Sequence, residues 1–275
     1  MIIPIKTHYY QNFDADYTLE YPGEGYGGWK SEMLEIDTDH TAFVFFQNWD
    51  HGTREMYPGW YRAVEYIERE NKIEAEVFPS YIKTLRDAGQ KIYHVVGTRN
   101  HYSRLPGYQE TAMLTDDTPY PKERIERDET VKKLLRFRSK HVHPGEHNIE
   151  DIDKGFSRLD FPHATRPIAG EAIAANEYQL AALCRRDKVS HLIYAGFTIN
   201  IGMLAASCGM INMGQYGIMC SVVKEGVTAV ENKESARLEL HKEESLWRTS
   251  YLYGFVYSVE DIKDALRTNF NLKQE

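Results

Sequence analysis

The side chains here that could do chemistry at neutral pH are imidazoles, thiols and the carboxylates beside them. Asp50 and His51 are adjacent and follow an apolar run, so they could work as a carboxylate–imidazole acid–base pair. Asp50 could equally cap the turn Asp50-His51-Gly52-Thr53, and that local reading is preferred. Glu225-Gly226 carries the same ambiguity. His141, His143 and His147, with Glu146 and Asp151, form a loose set of possible metal ligands. Two imidazoles at His-x-His spacing can meet one ion, but no motif completes the site, so solvated loop histidines are expected and no metal is assigned. His101 follows a second apolar run and is expected near a pocket mouth, either facing a ligand or as a plain loop residue.

Cys184, Cys208 and Cys220 are far apart and form no CxxC pair, which argues against a disulfide framework and a structural zinc. Ile201, Leu204, Cys208 and Ile211 fall on one face if residues 200–213 are helical. Cys208 is therefore expected in the core, as are Cys220 and Cys184.

The chain has 275 residues, 42% hydrophobic and 27% charged, which is ordinary globular composition. With 33 basic and 41 acidic residues its net charge is −8. That balance gives no footprint for nucleic acid, so the basic stretch Lys132, Lys133, Arg136, Arg138 and Lys140 reads as a solvated helix face. No apolar run reaches the length of a membrane span and the first residues show no signal-peptide pattern; the cytoplasm is the expected location.

These residues need elements to position them. Residues 1–38 are rich in Tyr, Gly and Pro without a sustained period, so an irregular aromatic arm is expected, packed on its own domain or on a partner subunit. Residues 41–46 form a short, wholly apolar run, as in a strand buried on both faces. Further strands are expected at 91–96, 191–195, 217–223 and 254–257. Helices are expected at 61–70, 73–88, near 130–140, and at 172–186, 200–213, 231–251 and from Ser258 on. This alternation predicts an α/β domain over 39–270, a three-layer α/β/α fold with a mainly parallel sheet. Ligands in such sheets bind beyond the carboxyl ends of the strands, which selects residues 47–51, 98–101, 195–202 and 224–226.

Three stretches then carry a resemblance. The run from Ala42 through Gln47-Asn48-Trp49-Asp50-His51 is similar to the first strand and exit of the isochorismatase-like cysteine hydrolases, the superfamily of nicotinamidases and carbamoyl-amide hydrolases. Ile193-Tyr194-Ala195-Gly196-Phe197-Thr198-Ile199-Asn200-Ile201-Gly202-Met203 is similar to that family's nucleophile turn, and Gly254 to Ile262 to its closing strand and helix. The resemblance spans about residues 39–266 and implies the family's α/β fold, a small-molecule ligand, no cofactor and a homo-oligomer.

It also implies a site. The family's chemistry needs a thiolate, a carboxylate and a lysine. The carboxylate position matches Gln47, or Phe45 in another register, and the cysteine position matches Gly202. The lysine position matches Lys154 or, without an insertion, falls near Ala169 or Gly170. Some family members begin a metal site with Asp-x-His where this chain has Arg99-Asn100-His101. By the same resemblance the peptide between Phe197 and Thr198 is expected to be cis, and the amides of Thr198 and Gly202 to face a substrate oxygen. Two functions follow as expectations. One is an enzyme on small carbonyl, amide or carboxylate compounds by a changed mechanism, with Lys154 catalytic, His101 and Asp50 assisting, and Gln47, Phe197, Thr198 and Gly202 holding substrate. The other is a binding or assembly protein that has lost catalysis, which Gln47 and Gly202 together favour.

Overall fold

The computed structural model describes residues 1–97, 100–117 and 125–272. Its strands are β1 (Ile2–Gln11), β2 (Gly28–Asp37), β3 (Thr41–Phe46), β4 (Lys91–Val95), β5 (Ala172–Ala174), β6 (His191–Phe197), β7 (Met219–Thr228) and β8 (Val256–Tyr257). They form one sheet in the order β2-β1-β8-β7-β6-β3-β4-β5. Strands β3 to β8 run parallel, and β1 joins β8 antiparallel. The helices are α1 (Pro58–Ala63), α2 (Ile67–Glu76), α3 (Phe78–Asp87), α4 (Pro106–Ala112), α5 (Glu129–His141), α6 (Ile149–Ser157), α7 (Glu177–Asp187), α8 (Gly202–Ala205), α9 (Met210–Gln215), α10 (Leu240–Leu252) and α11 (Val259–Phe270).

The apolar run of β3 has a direct cause. Ala42, Val44 and Phe46 pack on one side with Leu180, Leu183, Met210 and Leu246 from α7, α9 and α10. Phe43 and Phe45 pack on the other with Phe78, Tyr81, Leu85 and Ile262 from α3 and α11. Both faces are covered, so alternation in hydrophobicity vanishes while the period-2 geometry stays. The three-layer, mainly parallel α/β arrangement is the one expected.

Several expected elements are redrawn. Residues 1–38 are not an irregular arm. β1 and β2 form a ten-residue antiparallel ladder from Ile2↔Asp37 to Gln11↔Gly28. Ile3, Ile5 and Thr7 are buried on one face of β1. The hairpin is fastened to α10 by Tyr10 N–H donating to Ser250 Oγ at 2.8 Å and Trp247 Nε1 donating to Asn12 Oδ1 at 3.2 Å.

Residues 172–186 are not one helix: β5 comes first, and Asn176 caps α7 by accepting from the Gln179 amide at 2.9 Å. The expected helix over 200–213 breaks into α8 and α9, with Cys208 at φ 67° between them. Its proposed apolar face is not realised, since Cys208 is buried while Ile201 and Ile211 are exposed. β7 runs on to Thr228, so Lys224, Glu225 and Gly226 lie within a strand and not beyond its end. The last long helix begins only at Leu240. α5 has no buried residue, as a solvated helix would. Among the described residues no helix is long and apolar enough to cross a membrane.

Candidate functional site

β3 and β6 are neighbours in the sheet, and their carboxyl ends open on the same side. The β3 exit is sharp: Gln47 adopts φ 49° while its amide donates to the Val95 carbonyl at 2.7 Å. A left-handed conformation is unusual for a residue with a side chain and recurs where geometry is held for function. At the β6 end, Gly196 has φ 126°, and a β-carbon there would stand 2.1 Å from the Phe46 carbonyl oxygen. Only glycine lets the two strand ends approach this closely. The following peptide, Phe197–Thr198, is cis. The chain then folds back through Ile199 N–H donating to the Thr228 carbonyl and Met203 N–H to the Thr198 carbonyl, both at 2.9 Å.

This return sets Gly202 opposite Gln47. Both line a cavity of about 470 Å³. Its wall includes Gln47, Trp49 and His51 from the β3 exit, Val64 to Tyr66 and Glu70 from the α1–α2 region, His143, the turn residues Phe197, Thr198, Ile201 and Gly202, and Val230 and Glu231 beyond β7.

The charges around the cavity are unequal in their commitments. Glu65 is held by Arg69 through two hydrogen bonds of 2.8 and 2.9 Å and also accepts from the Glu231 amide at 3.0 Å. Arg69 also donates to Thr228 Oγ1 at 2.9 Å and meets Glu239 at 3.1 Å. Glu231 accepts from the amides of His241 and Lys242 at 3.1 and 3.0 Å, closing the start of α10. Glu70 is different. It is 3% exposed, and its Oε2 has no hydrogen-bond partner among the described residues, although His51 Nε2 stands 3.3 Å away. Burial, with Glu74 adding to it, pushes the Glu70 carboxyl well above the usual range. Burial pushes the His51 imidazole down to about 4, so neither partner favours its charged form. Trp49 Nε1 is also buried without a partner. Buried polar atoms without a protein partner are uncommon in folded proteins.

Of the expected site residues, Gln47, Phe197, Thr198 and Gly202 come together at this cavity. Asp50 does not. Its carboxylate accepts from the Gly52 amide at 2.9 Å, the turn geometry expected, and it lines a separate hollow with Asn71 and Glu74. His51 therefore stands against Glu70, at 3.3 Å, and not against Asp50. His101 is also absent from the cavity wall. It packs edge-on to Phe161 at 4.9 Å and Tyr102 at 5.3 Å, and burial lowers its pKa. Thr98 and Arg99 lie outside the described residues. Lys154 sits on α6 with its side chain 59% exposed, bonded to Glu150 at 2.6 Å. It is no part of the cavity, so the catalytic role expected of it is not met by its position. Of the three loop histidines, His143 alone is on the wall.

All three cysteines are free and buried away from the cavity. Burial raises Cys184 and Cys220 to about 12 and pushes Cys208 well above the usual thiol range. No thiolate is thus available at neutral pH.

Sequence reasoning missed Glu70, Glu65, Tyr66 and Glu231. A signal for Glu70 existed: it stands three residues after Ile67 and before Ile73, inside an apolar helical stripe.

No family model matches the chain, and no curated protein matches it. Among solved structures it is similar to a cysteine hydrolase from Pseudomonas syringae pv. phaseolicola 1448A, at 10% identity and TM-score 0.47, over 85% of this chain and 95% of that one. It is also similar to a zinc-bound pyrazinamidase of Pyrococcus horikoshii, at 14% identity and TM-score 0.41, over 80% and 99% of the two chains. A nicotinamidase from Bacillus subtilis gives 14% identity and TM-score 0.36, over 80% and 99%. These values record a likeness in outline; the strand order rests on the chain's own hydrogen-bond ladders.

Proposed function

We propose that this chain is an isochorismatase-like protein whose cavity, lined by Gln47 and Gly202, binds a small carbonyl or amide compound, with the cysteine-hydrolase route closed. The observation that carries this reading is the facing pair itself. A cavity at the strand ends keeps its polar wall, while neither a thiol nor an accompanying lysine stands in it among the described residues. Losing a nucleophile leaves binding and carbonyl polarisation but costs orders of magnitude in rate. Within that class, carboxylates are disfavoured, since Glu65, Glu70 and Glu231 line the cavity without a lysine or arginine among its described residues.

The test uses benzamide as the probe. Calorimetry on the full chain is expected to show binding that Gln47→Ala weakens by about tenfold. Ammonia release should be undetectable. Turnover abolished by iodoacetamide would overturn the reading, because it would require a reactive thiol.

Self-association belongs to the same proposal. Leu134 and Phe137 of α5, and Val142 just after it, are exposed among the described residues. The five cations of α5 suit the acidic surface of a second copy, in a chain of net charge −8. Light scattering on Leu134→Glu/Phe137→Glu should show a lower mass than the parent, and equal masses would remove the idea. Residence in the cytoplasm is supported by three unpaired cysteines.

A further inference from the structure

The wall opposite the Gln47–Gly202 pair carries more information than its shape. Three carboxyl groups line the cavity, and two are already committed. Glu65 is matched by Arg69, and Glu231 closes the start of α10. Glu70 has no cation of its own among the described residues. Arg69, on the same helix, is occupied by Glu65, Glu239 and Thr228. His51 is the nearest basic group, and its 3.3 Å approach does not close a hydrogen bond to Glu70 Oε2. A carboxyl group 3% exposed, whose Oε2 has no hydrogen-bond partner among the described residues, is costly to ionise unless a cation reaches it. Trp49 Nε1 also has no partner among the described residues, and Trp49, Tyr66 and Phe197 line the same cavity. Aromatic residues beside one uncommitted carboxyl group are the surroundings an organic cation selects.

We propose that the cavity takes a compound bearing a protonated amine, seated at Glu70 among Trp49, Tyr66 and Phe197, with its carbonyl or amide group toward Gln47. This rests on the cavity being a ligand site and adds the charge of the ligand. Glu70 recognises the ligand and is not assigned a chemical step.

Proton release follows. Burial favours the protonated form of Glu70, and an arriving ammonium favours the carboxylate. The groups facing Glu70 are His51 from the β3 exit, Arg69 and Glu74 from its own helix, and Glu65, Glu231 and His143 elsewhere on the cavity wall. His51 is held neutral by burial, so Glu70 is the group that gives up the proton.

The experiment compares three probes of one shape: benzamide, 4-(aminomethyl)benzamide and 4-carbamoylbenzoate. Calorimetry in two buffers of different ionisation enthalpy reads affinity and protons together. The amine is expected to bind about tenfold or more tighter than benzamide, to release close to one proton, and to tighten as pH rises. The carboxylate should bind weakest. Glu70→Gln should erase the amine's preference. Benzamide binding as tightly as the amine, or a preference surviving in Glu70→Gln, overturns this inference and leaves the ligand site standing. Failure of all three probes overturns both. Should Glu70→Gln fail to fold, proton release by the parent decides: none, on amine binding, overturns the inference.

Discussion

The side-chain oxygen of Gln47 lies 3.5 Å from the point that a β-carbon on Gly202 would occupy. The two positions are 155 residues apart in sequence and meet because β3 and β6 are adjacent and parallel. A carboxylate and a thiol at these places would be in reach of one another. The chain has the geometry of such a pair and neither reactive group.

Gly202→Cys should therefore place a thiol in the cavity. Gly202 needs no positive φ, and its nearest neighbour to a new β-carbon is Phe46 Cε1 at 3.2 Å. The change should cost only about 1 kcal/mol. Native protein treated with a disulfide reagent is expected to show no rapidly reacting thiol in the parent and one in the variant. Amide hydrolysis should not appear, since Lys154 is bonded to Glu150 on the surface of α6. Rapid labelling of the parent would contradict the burial of Cys184, Cys208 and Cys220.

Gly196→Ala tests the contact that brings the strand ends together. A β-carbon there meets backbone oxygen at 2.1 Å with φ at 126°, and no side-chain rotation relieves it. A loss of about 2–5 kcal/mol is expected from urea unfolding, with weakened ligand binding in whatever stays folded.

The hairpin can be tested through Ile5, which is fully buried against the sheet's second core. Ile5→Ala should cost about 2–5 kcal/mol. A freely attached arm would show almost no loss in the same thermal unfolding measurement.

What the sequence disclosed divides along burial. β3 was legible because both its faces are covered, which leaves an unbroken apolar run. β1 was not, because Ile2 and Pro4 interrupt the alternation of Ile3, Ile5 and Thr7, and Tyr9 and Tyr10 hide its continuation. β5 is three residues long, too short to show a period. Gln47 and Gly202 were found by resemblance, and both line the cavity. Lys154 was placed by the same resemblance, but Glu150 four residues before it already marked a solvated helix pair. Glu70 was passed over because composition treats glutamate as surface, and only packing reveals that α2 turns it inward.

Glu171 ties α3 to the sheet. It accepts from Arg86 Nε at 2.7 Å and lies 2.8 Å from His94 Nε2. Burial works to raise its pKa, but the His94 and Arg86 bonds outweigh it and hold the carboxyl down to about 2. A carboxyl depressed on folding contributes stability above about pH 4.5 and loses it as pH falls toward 2. Glu171→Gln should cost about 3–5 kcal/mol at neutral pH. It should also flatten the acid limb of the stability profile. An acid limb as steep as the parent's would show that the pair contributes nothing there.

Glu74 works in the opposite direction. It lines the hollow it shares with Asp50, and Thr165 Oγ1 donates to its Oε2 at 3.2 Å. Burial, with Asp50 adding to it, raises its carboxyl to about 8 in spite of the Thr165 bond. The folded protein must therefore keep Glu74 protonated at pH values where the unfolded chain has already released that proton. Such a group stabilises below about pH 4.5, and its contribution is lost progressively as pH climbs to about 8. Glutamine keeps the shape and cannot ionise. Glu74→Gln should thus raise the melting temperature more at pH 8.5 than at pH 5, by several degrees in the difference. Equal shifts at both pH values would mean that Glu74 is ionised in the folded state, with solvent or a cation reaching it.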